Sequence, residues 1–351
     1  MRILQLIDTL NPGGAERMAL NYFLAGKKCG FESYIAVSRE EGFLAEQIRY
    51  SPGYKFLKKS NAADLLAFYK LKKIISFHKI DIIQAHGSSL FWAVLCKITG
   101  SKVKVVWHDH YGDSENLDKR KSVLLKKASR YFDGIISVNN NLRNWAKHTL
   151  KFKKPLIYLP NFVNQPISLE RKELPGGCQF KIVCVANLRP QKDHFTLIKA
   201  FKVIQHKFDV SLHLFGRHSN DAYFFEVKSL VENNPGIFYH GEVSTVMNFL
   251  ANANMGVLSS NSEGLPLALL EYGMAGLPVI CTKVGECSNI IEDDGILVEA
   301  NNPEELALAM KYYLENREKS KQDSINFNRR IKNDYSEEAI LSEFQKFISK
   351  I

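Results

Sequence analysis

The sequence predicts an α/β fold of two tandem, doubly wound domains, each with a parallel sheet covered by helices. Three observations support this prediction. The 351 residues exceed one ordinary compact domain. Short β-branched segments alternate with longer helical patterns along the chain, which is typical of parallel sheets. The alternation breaks at a polar segment containing Pro and Gly, residues 164–179, and then restarts.

The first domain is predicted over residues 1–163. Its expected strands are the β-branched segments 2–8, 33–38, 81–86, 104–109, 134–139 and 155–160. The second domain is predicted over 164–335, with its first strand at 181–187. Within it, the sequence Asn-Pro-Glu-Glu at 302–305 is typical of a helix start, because acids favour the first turn. The last helical segment, 336–351, is a candidate for packing back on the first domain.

The composition is that of a globular protein, with 45% hydrophobic and 24% charged residues. The longest apolar segment, 89–96, is shorter than the roughly 18 residues that a membrane span requires. The amino terminus has no cleavage-site pattern. The six cysteines include no C-x-x-C pair, so neither a disulfide framework nor a zinc site is expected. We therefore expect a cytoplasmic protein.

The charge is distributed unevenly along the chain. Residues 1–165 hold 27 Lys and Arg against 13 Asp and Glu, a net charge of +14. Residues 166–351 hold 20 against 24, a net charge of −4. Lysines cluster, with apolar and aromatic residues between them, at 55–59, 70–73, 119–130 and 147–154. Each cluster alone fits a solvated helix face.

Together, these clusters favour an anionic partner for the first domain. An anionic membrane surface attracts such residues by ~1 kcal/mol for each close Lys or Arg. The sequence therefore supports the hypothesis that the protein is peripheral on the cytoplasmic face of a membrane. Nucleic acid is disfavoured as the partner, because no recognised nucleic-acid motif is present.

The clearest candidate site is the segment 259–282, which begins at the end of a predicted strand. Glu263 is expected in the loop after the strand, and Gly264 in a tight turn. Pro266 is expected at the first helical position, which places Glu271 between one and two turns into the helix. An ordinary capped helix with a solvated acid is the alternative interpretation.

This arrangement suits a nucleotide. The backbone amides of Gly264, Leu265 and Leu267 would lie at a positive helix terminus, which is a site for a pyrophosphate. The Glu271 carboxylate can accept two hydrogen bonds from vicinal hydroxyls, as on a ribose.

A second candidate segment follows the strand 181–187. It contains Arg189 and Lys192 in a loop that precedes an amphipathic helix. Two cations at the carboxyl end of a strand would neutralise a diphosphate leaving group. Read alone, the loop fits an ordinary surface turn; beside Glu263 and Glu271, the functional interpretation is favoured.

The first domain contributes a glycine pair and three histidines. Gly13 and Gly14 follow the first strand, where a backbone can approach a ligand closely, although G-x-G-x-x-G is absent. His86, His108 and His110 end strands, where histidine is more often structural than catalytic. The pair His108 and His110 could suggest a metal, but no third ligand follows at a convincing spacing, and Asp-x-Asp is absent. We expect no required metal or cofactor.

Together these segments resemble the retaining glycosyltransferases of family four, which have the GT-B fold of two Rossmann-like domains facing across a cleft. The resemblance covers nearly the whole chain, and its most specific element is the E-G…E block of 263–271. It implies that Glu271 holds the nucleotide ribose and that Glu263 lies against the hydroxyls of the donor sugar. It assigns the donor phosphates to Arg189 and Lys192.

The resemblance also implies that the first domain binds the acceptor. The family carries a cleft histidine that touches the reacting sugar; His110 aligns best with it, and His108 is the alternate. Gly13, Gly14 and His86 are then candidates for the acceptor side. The expected donor is a nucleotide diphosphate sugar, with UDP favoured because it is common in the family. The expected acceptor is a glycan or lipid-linked molecule of cell-surface polysaccharide synthesis.

The chain departs from the family pattern at three places. Asn187 stands where a glycine usually precedes the arginine loop, and Asp193 where a glycine often follows the lysine. Arg217 and His218 occupy the place of a further glycine after the sequence LFG. Two alternative functions are a nucleotide-sugar epimerase of the same fold and a catalytically inactive module that binds sugar nucleotides or membranes.

Overall fold

The structure is a computed structural model that describes residues 1–26, 28–114, 116–163, 170–243 and 245–351. These residues form two compact units. Unit 1 comprises Met1–Phe162 and Glu337–Ile351, and unit 2 comprises Val163–Ser336. Residues 164–169, with which the second domain was predicted to begin, lie outside the described residues.

The described part of unit 1 contains a seven-stranded, all-parallel sheet. Its strands are β1 (Arg2–Thr9), β2 (Glu32–Glu40), β3 (Tyr54–Phe56), β4 (Ile82–His86), β5 (Lys104–Asp109), β6 (Gly134–Ser137) and β7 (Leu156–Tyr158). The strand order is β3-β2-β1-β4-β5-β6-β7. The register pairs Gln5 with Gln84 and His86 with His108. The order reverses direction beside β1, so β1 and β4 form the switch point where ligands bind in such sheets.

The described part of unit 2 contains a six-stranded parallel sheet. Its strands are β8 (Phe180–Val185), β9 (Val210–Phe215), β10 (Ile237–Tyr239), β11 (Met255–Leu258), β12 (Val279–Thr282) and β13 (Ile296–Val298). The strand order is β10-β9-β8-β11-β12-β13, with the same switch in direction beside β8. The predicted fold class of two doubly wound α/β domains is therefore confirmed.

Helices connect these strands in both units. Those of the amino-terminal part are α1 (Gly14–Ala25), α2 (Leu65–Phe77), α3 (Leu90–Ile98), α4 (Val123–Ala128) and α5 (Asn140–His148). Those of unit 2 are α6 (His194–Gln205), α7 (Ala222–Glu232), α8 (Met247–Leu250), α9 (Leu267–Ala275), α10 (Cys287–Ile291), α11 (Pro303–Glu315) and α12 (Arg317–Asp334). The chain ends with α13 (Glu337–Ile348).

Side-chain caps explain where several helices begin. The Asn302 side chain accepts a hydrogen bond from the Glu305 amide at the start of α11, as the sequence predicted. Asp64 and Asn139 cap α2 and α5 in the same way. Each cap satisfies a first-turn amide that has no partner inside the helix.

Two apolar clusters cover the two faces of the unit 1 sheet. One contains Leu4, Leu71 and Trp92, and the other contains Ile7 and Phe23. Residues of β1 divide between them because successive side chains of a strand point to opposite faces. Helix α13 belongs to unit 1, where the Phe344 ring packs 4.8 Å from the ring of Tyr22.

Candidate functional site

The loop after β11 carries Glu263, and the helix that follows carries Glu271. Helix α9 begins at Leu267, so the predicted placement of Pro266 at the first helical position is wrong by one residue. Pro266 is the N-cap instead, because its extended ψ of 117° does not continue a helix. Glu271 is the fifth residue of α9, as expected, and both glutamates are only 6% exposed.

An ion pair joins the two segments that the sequence analysis singled out. The Lys192 Nζ lies 2.6 Å from Glu263 Oε1, and the Ser260 hydroxyl donates to the same oxygen at 2.7 Å. A lysine ammonium has three donors, so Lys192 keeps hydrogen-bonding capacity beyond this pair. The structure thus brings Lys192 and Glu263 together at the carboxyl end of the unit 2 sheet.

Backbone contacts fix the two loops to each other. The Ser259 hydroxyl donates to the carbonyl oxygens of Lys192 and Asp193, at 3.1 and 2.9 Å. The Asn261 amide donates to the Gln191 carbonyl at 2.7 Å. The positions of Lys192 and Glu263 are therefore set by the main chain as well as by their ion pair.

A third loop, after β12, was missed by the sequence analysis. Gly285 has a φ of +54°, and a Cβ there would lie 2.0 Å from the Glu263 carbonyl oxygen. The next amide, of Glu286, donates to the Gly264 carbonyl at 3.0 Å. Only glycine satisfies both the left-handed backbone and the close approach. The available signal was a glycine three residues after the end of a predicted strand.

Helix α9 is held against the sheet by the residue that follows Glu271. The Tyr272 hydroxyl accepts a hydrogen bond from the Val185 amide at 2.7 Å, and its ring packs against Gly256. A Cβ on Gly256 would come within 2.4 Å of that ring. The packing of this ring and the hydrogen bond of its hydroxyl thus fix the position of Glu271 relative to the end of β8.

The two cations of the loop after β8 differ in their exposure and contacts. The Arg189 side chain is exposed and makes no hydrogen bond or ion pair to the described residues, whereas the Lys192 side chain is 25% exposed. Asp193 has a φ of +44° and caps α6 through the Thr196 amide. The left-handed backbone explains why a glycine suits this position.

The other departures from the family pattern also have structural explanations. The Asn187 side chain accepts a hydrogen bond from the Arg217 amide at 3.0 Å. Gly216 has a φ of +152°, and a Cβ there would lie 2.1 Å from the Ala186 carbonyl oxygen. The His218 ring stacks on Phe224 with centroids 3.7 Å apart.

In unit 1 the glycine pair starts α1. Gly13 is the extended N-cap residue and Gly14 is the first helical residue. A Cβ on Gly14 would meet no atom within 4 Å, whereas one on Gly13 would approach the flexible carboxylate of Glu16. Neither backbone conformation requires glycine, so the pair stays a candidate for close approach of a ligand.

The three strand-end histidines form one cluster. One nitrogen from each of His86, His108 and His110 lies within 4.8 Å of the others. The sequence analysis was wrong to find no third ligand for His108 and His110, because β4 lies beside β5 and supplies His86. His86 and His108 are buried and His110 is half-buried.

Burial keeps this cluster uncharged. Loss of hydration lowers the pKa of His86 and His108 well below the usual histidine value, and each pKa is lowered further by the neighbouring His110. Burial also lowers the pKa of His110, to about 3. All three imidazoles are therefore neutral at physiological pH.

Two ion pairs of unit 1 were not anticipated. Arg120 makes two 2.7 Å hydrogen bonds to the buried Asp109 carboxylate and lies over the rings of Tyr111 and Trp145. The Lys59 side chain is 6% exposed and lies 4.0 Å from an oxygen of Asp8. Both cations had been counted in surface clusters, which is wrong for these two residues because carboxylates at the ends of β5 and β1 pair with them.

Two lysines of the cluster at 70–73 lie among exposed apolar side chains. On α2, Leu65 and Leu66 are 79% and 76% exposed, and Phe77 is 76% exposed. Lys70 and Lys73 lie exposed between them. Among the described residues, no helix has the length and apolar character to cross a membrane.

Almost the whole chain matches known protein families. Residues 12–165 match the family described as Glycosyltransferase Family 4, and residues 168–330 match the family described as Glycosyl transferases group 1. The two matches correspond to units 1 and 2.

Individual relatives and solved structures agree with this assignment. The chain is 28% identical to the Escherichia coli O-antigen biosynthesis glycosyltransferase WbnH over 269 residues, which cover 75% of this chain and 76% of the relative. It is 25% identical over 269 residues to the E. coli UDP-Gal:alpha-D-GlcNAc-diphosphoundecaprenol alpha-1,3-galactosyltransferase, with coverage of 68% and 67%. The fold matches Anabaena HepE in complex with UDP-glucose at a TM-score of 0.83, with 17% identity and full coverage of both chains.

Proposed function

The chain belongs to the group 1 glycosyltransferases of family four, and from this premise we propose that it transfers a sugar from a UDP-sugar to a glycan or lipid-linked acceptor. The product is a cell-surface polysaccharide or its precursor, and the transfer is retaining and independent of metal. The observation that carries the proposal is the Lys192–Glu263 ion pair at the carboxyl end of the unit 2 sheet, together with the buried Glu271 of the helix that follows Glu263. The UDP-sugar named for a relative and the UDP-glucose bound to HepE support the choice of donor.

The donor is assigned to unit 2. Departure of UDP places negative charge on the β-phosphate, and Arg189, Lys192 and the first-turn amides of α9 supply positive charge and donors for it. Glu271 accepts hydrogen bonds from the ribose hydroxyls, and Glu263 from the sugar hydroxyls. Because Glu263 also holds Lys192 at 2.6 Å, binding of sugar and phosphate is coupled through one ion pair.

The reaction breaks the bond between the anomeric carbon and the β-phosphate oxygen and forms one to the acceptor oxygen. The acceptor hydroxyl attacks on the face that UDP leaves, so the configuration is retained, and its proton passes to the departing phosphate oxygen. The acceptor is assigned to unit 1, with Gly13 and Gly14 where its chain approaches the backbone and His110 at the reacting hydroxyl.

A transfer assay with EDTA present tests this proposal. Release of UDP from a panel of UDP-sugars is measured with purified lipid-linked glycans as acceptors, and the anomeric configuration of the product is read by NMR. We expect acceptor-dependent release of UDP in EDTA and a retained anomer. Release only after addition of Mn²⁺ or Mg²⁺, or an inverted product, would contradict the metal-independent or the retaining part, respectively.

The proposal extends to an anionic membrane surface as a partner of unit 1. Leu65, Tyr69, Lys73 and Phe77 are exposed and follow an i, i+4 row along α2. The opposite row of α2, which includes Leu71, is buried in the core. A helix that is apolar on its outer face and carries lysines there suits an interface with acidic lipid.

Glutamate in place of both Leu65 and Leu66 is expected to reduce binding to vesicles of acidic phospholipid at least 10-fold, because both changes remove apolar area and add negative charge. Co-sedimentation at low salt measures this. Val203→Glu, on an exposed apolar side chain of unit 2, is the matched control and is expected to bind like the wild type. Equal binding of all three proteins, or no binding of the wild type, would contradict a docking role for α2.

A further inference from the structure

A chain of hydrogen bonds runs through the histidine cluster by way of two buried glutamines. His86 Nε2 lies 2.8 Å from Gln5 Oε1, and Gln5 Nε2 donates to Gln84 Oε1 at 3.1 Å. Gln84 Nε2 then lies 2.9 Å from His108 Nδ1. At the other end, His86 Nδ1 lies 3.0 Å from His110 Nε2. The chain therefore links three histidines across β1, β4 and β5.

The amides determine which imidazole nitrogens carry protons. An amide oxygen only accepts, so His86 Nε2 must donate to Gln5, which leaves His86 Nδ1 without a proton. An amide nitrogen only donates, so His108 Nδ1 must accept from Gln84, and the proton of this neutral ring is on Nε2. His110 Nε2 must then donate to His86 Nδ1. Every donor in the chain points from His110 towards His108.

The result does not depend on how the two amides are oriented. Two linked amides always present an oxygen at one end and a nitrogen at the other. If both rotate by 180°, the proton moves from Nε2 to Nδ1 on both His86 and His108, and His86 becomes the ring that directs an N–H towards His110. In either case, one of these two rings directs an N–H into the cluster. His108 Nε2 accordingly has no hydrogen-bond partner among the described residues, although it is buried.

We propose that Gln5 and Gln84 are positioning residues that hold His86 and His108 in the same tautomer, so that one ring turns a bare nitrogen into the cluster and the other turns an N–H into it. This arrangement of protons, called the lock below, prevents the three histidines from binding a divalent metal together, because a metal requires a bare nitrogen from every ligand ring. With the amides oriented as described, Nδ1 of the half-buried His110 is also left as a hydrogen-bond acceptor for the hydroxyl of the acceptor substrate. That last step rests on the proposed function, whereas the lock itself rests only on the geometry of unit 1.

Replacing either Gln5 or Gln84 by a side chain that only accepts hydrogen bonds is predicted to release the lock. In Gln84→Glu the new carboxylate accepts from Gln5 and from His108, so the proton of His108 moves to Nδ1 and its Nε2 becomes bare. In Gln5→Glu, the side-chain amide of Gln84 rotates so that its nitrogen donates to the new carboxylate. The Gln84 oxygen then accepts from His108 Nδ1, and His108 Nε2 again becomes bare. Two different substitutions are thus expected to convert the cluster into a three-histidine metal site with a carboxylate behind it.

The test uses the full chain without a polyhistidine tag. Titration with Zn²⁺ and Co²⁺ at pH 8 is expected to show about 100-fold tighter binding by Gln84→Glu and Gln5→Glu than by the wild type. Gln47→Glu, which places the same charge on an exposed site of unit 1, is the control and is expected to match the wild type. Co²⁺ absorption in the visible range reports coordination by nitrogen directly.

Long-range ¹H–¹⁵N NMR of protein labelled at histidine provides the second readout, assigned with single His→Gln variants. We expect the same tautomer for His86 and His108 in the wild type. In both variants we expect opposite tautomers, with His86 Nδ1 and His108 Nε2 bare. Opposite tautomers in the wild type, or wild-type metal binding that is lost in His86→Gln, would overturn the proposed lock. If the lock is present but His110→Gln retains full transfer, the proposed role of His110 fails and the lock stands.

Discussion

Lys192→Ala is expected to reduce kcat for sugar transfer by about 100- to 1,000-fold, the size of effect seen when one preorganised donor to a developing negative charge is removed. The change removes the ammonium assigned to the departing phosphate. It also leaves the buried Glu263 with the Ser260 hydroxyl but without its cation. The effect should therefore be larger on kcat than on the KM of the donor, and a steady-state assay with varied UDP-sugar measures both.

Lys199→Ala is the matched control for this variant. Lys199 is an exposed lysine of α6 in the same unit, and its loss is expected to change kcat less than twofold. Denaturant unfolding of both variants separates lost chemistry from lost stability. Wild-type activity of Lys192→Ala at an equal folded fraction would exclude Lys192 from phosphate stabilisation.

Gly285→Ala is expected to destabilise unit 2 by about 2–5 kcal/mol, because a left-handed alanine is strained and its Cβ overlaps the chain. The Cβ would meet the Glu263 carbonyl oxygen at 2.0 Å, so relief of the clash must move the Glu263 loop. We therefore also expect at least a 10-fold loss of transfer activity at temperatures where the variant remains folded. Urea unfolding gives the stability, and the transfer assay gives the activity.

Gly276→Ala separates backbone strain from the clash. Gly276 has a φ of +73° at the end of α9, but a Cβ there would meet no atom within 4 Å. Its expected cost is only the strain of a left-handed alanine, about 1–2 kcal/mol, with activity near that of the wild type. Equal effects of the two substitutions on activity would argue against the packing of Gly285 on the Glu263 loop.

Local sequence patterns predicted the parts of the fold that depend on local physics. Alternating β-branched and helical segments predicted two parallel sheets, and Asn302 predicted the start of α11. Strand β3, at Tyr54–Phe56, was missed because three residues are too few to show a period of two. The helix boundary at Pro266 was one residue wrong because proline fits both the cap and the first turn.

The contacts that build the sites were less predictable, because they depend on which strands are neighbours. Lys192 and Glu263 were chosen separately, and the pairing of β8 with β11 brings them together. The histidine cluster needs β4 beside β5, and its glutamine bridge needs β1 beside β4. Sequence spacing gives no strand order, which is why His86 was not recognised as the third member.

Calorimetric titration of the full chain with UDP, GDP and ADP in the presence of EDTA tests the donor site in unit 2 most directly. We predict selective binding of UDP by the wild type. Binding should weaken by about 10- to 100-fold in Glu271→Gln, since hydrogen bonds to a charged acceptor contribute about 1.5–3 kcal/mol. Glu226→Gln, on an exposed glutamate of α7, should bind like the wild type. Binding of none of the three nucleotides, or equal affinity of wild type and Glu271→Gln for UDP, would contradict the account.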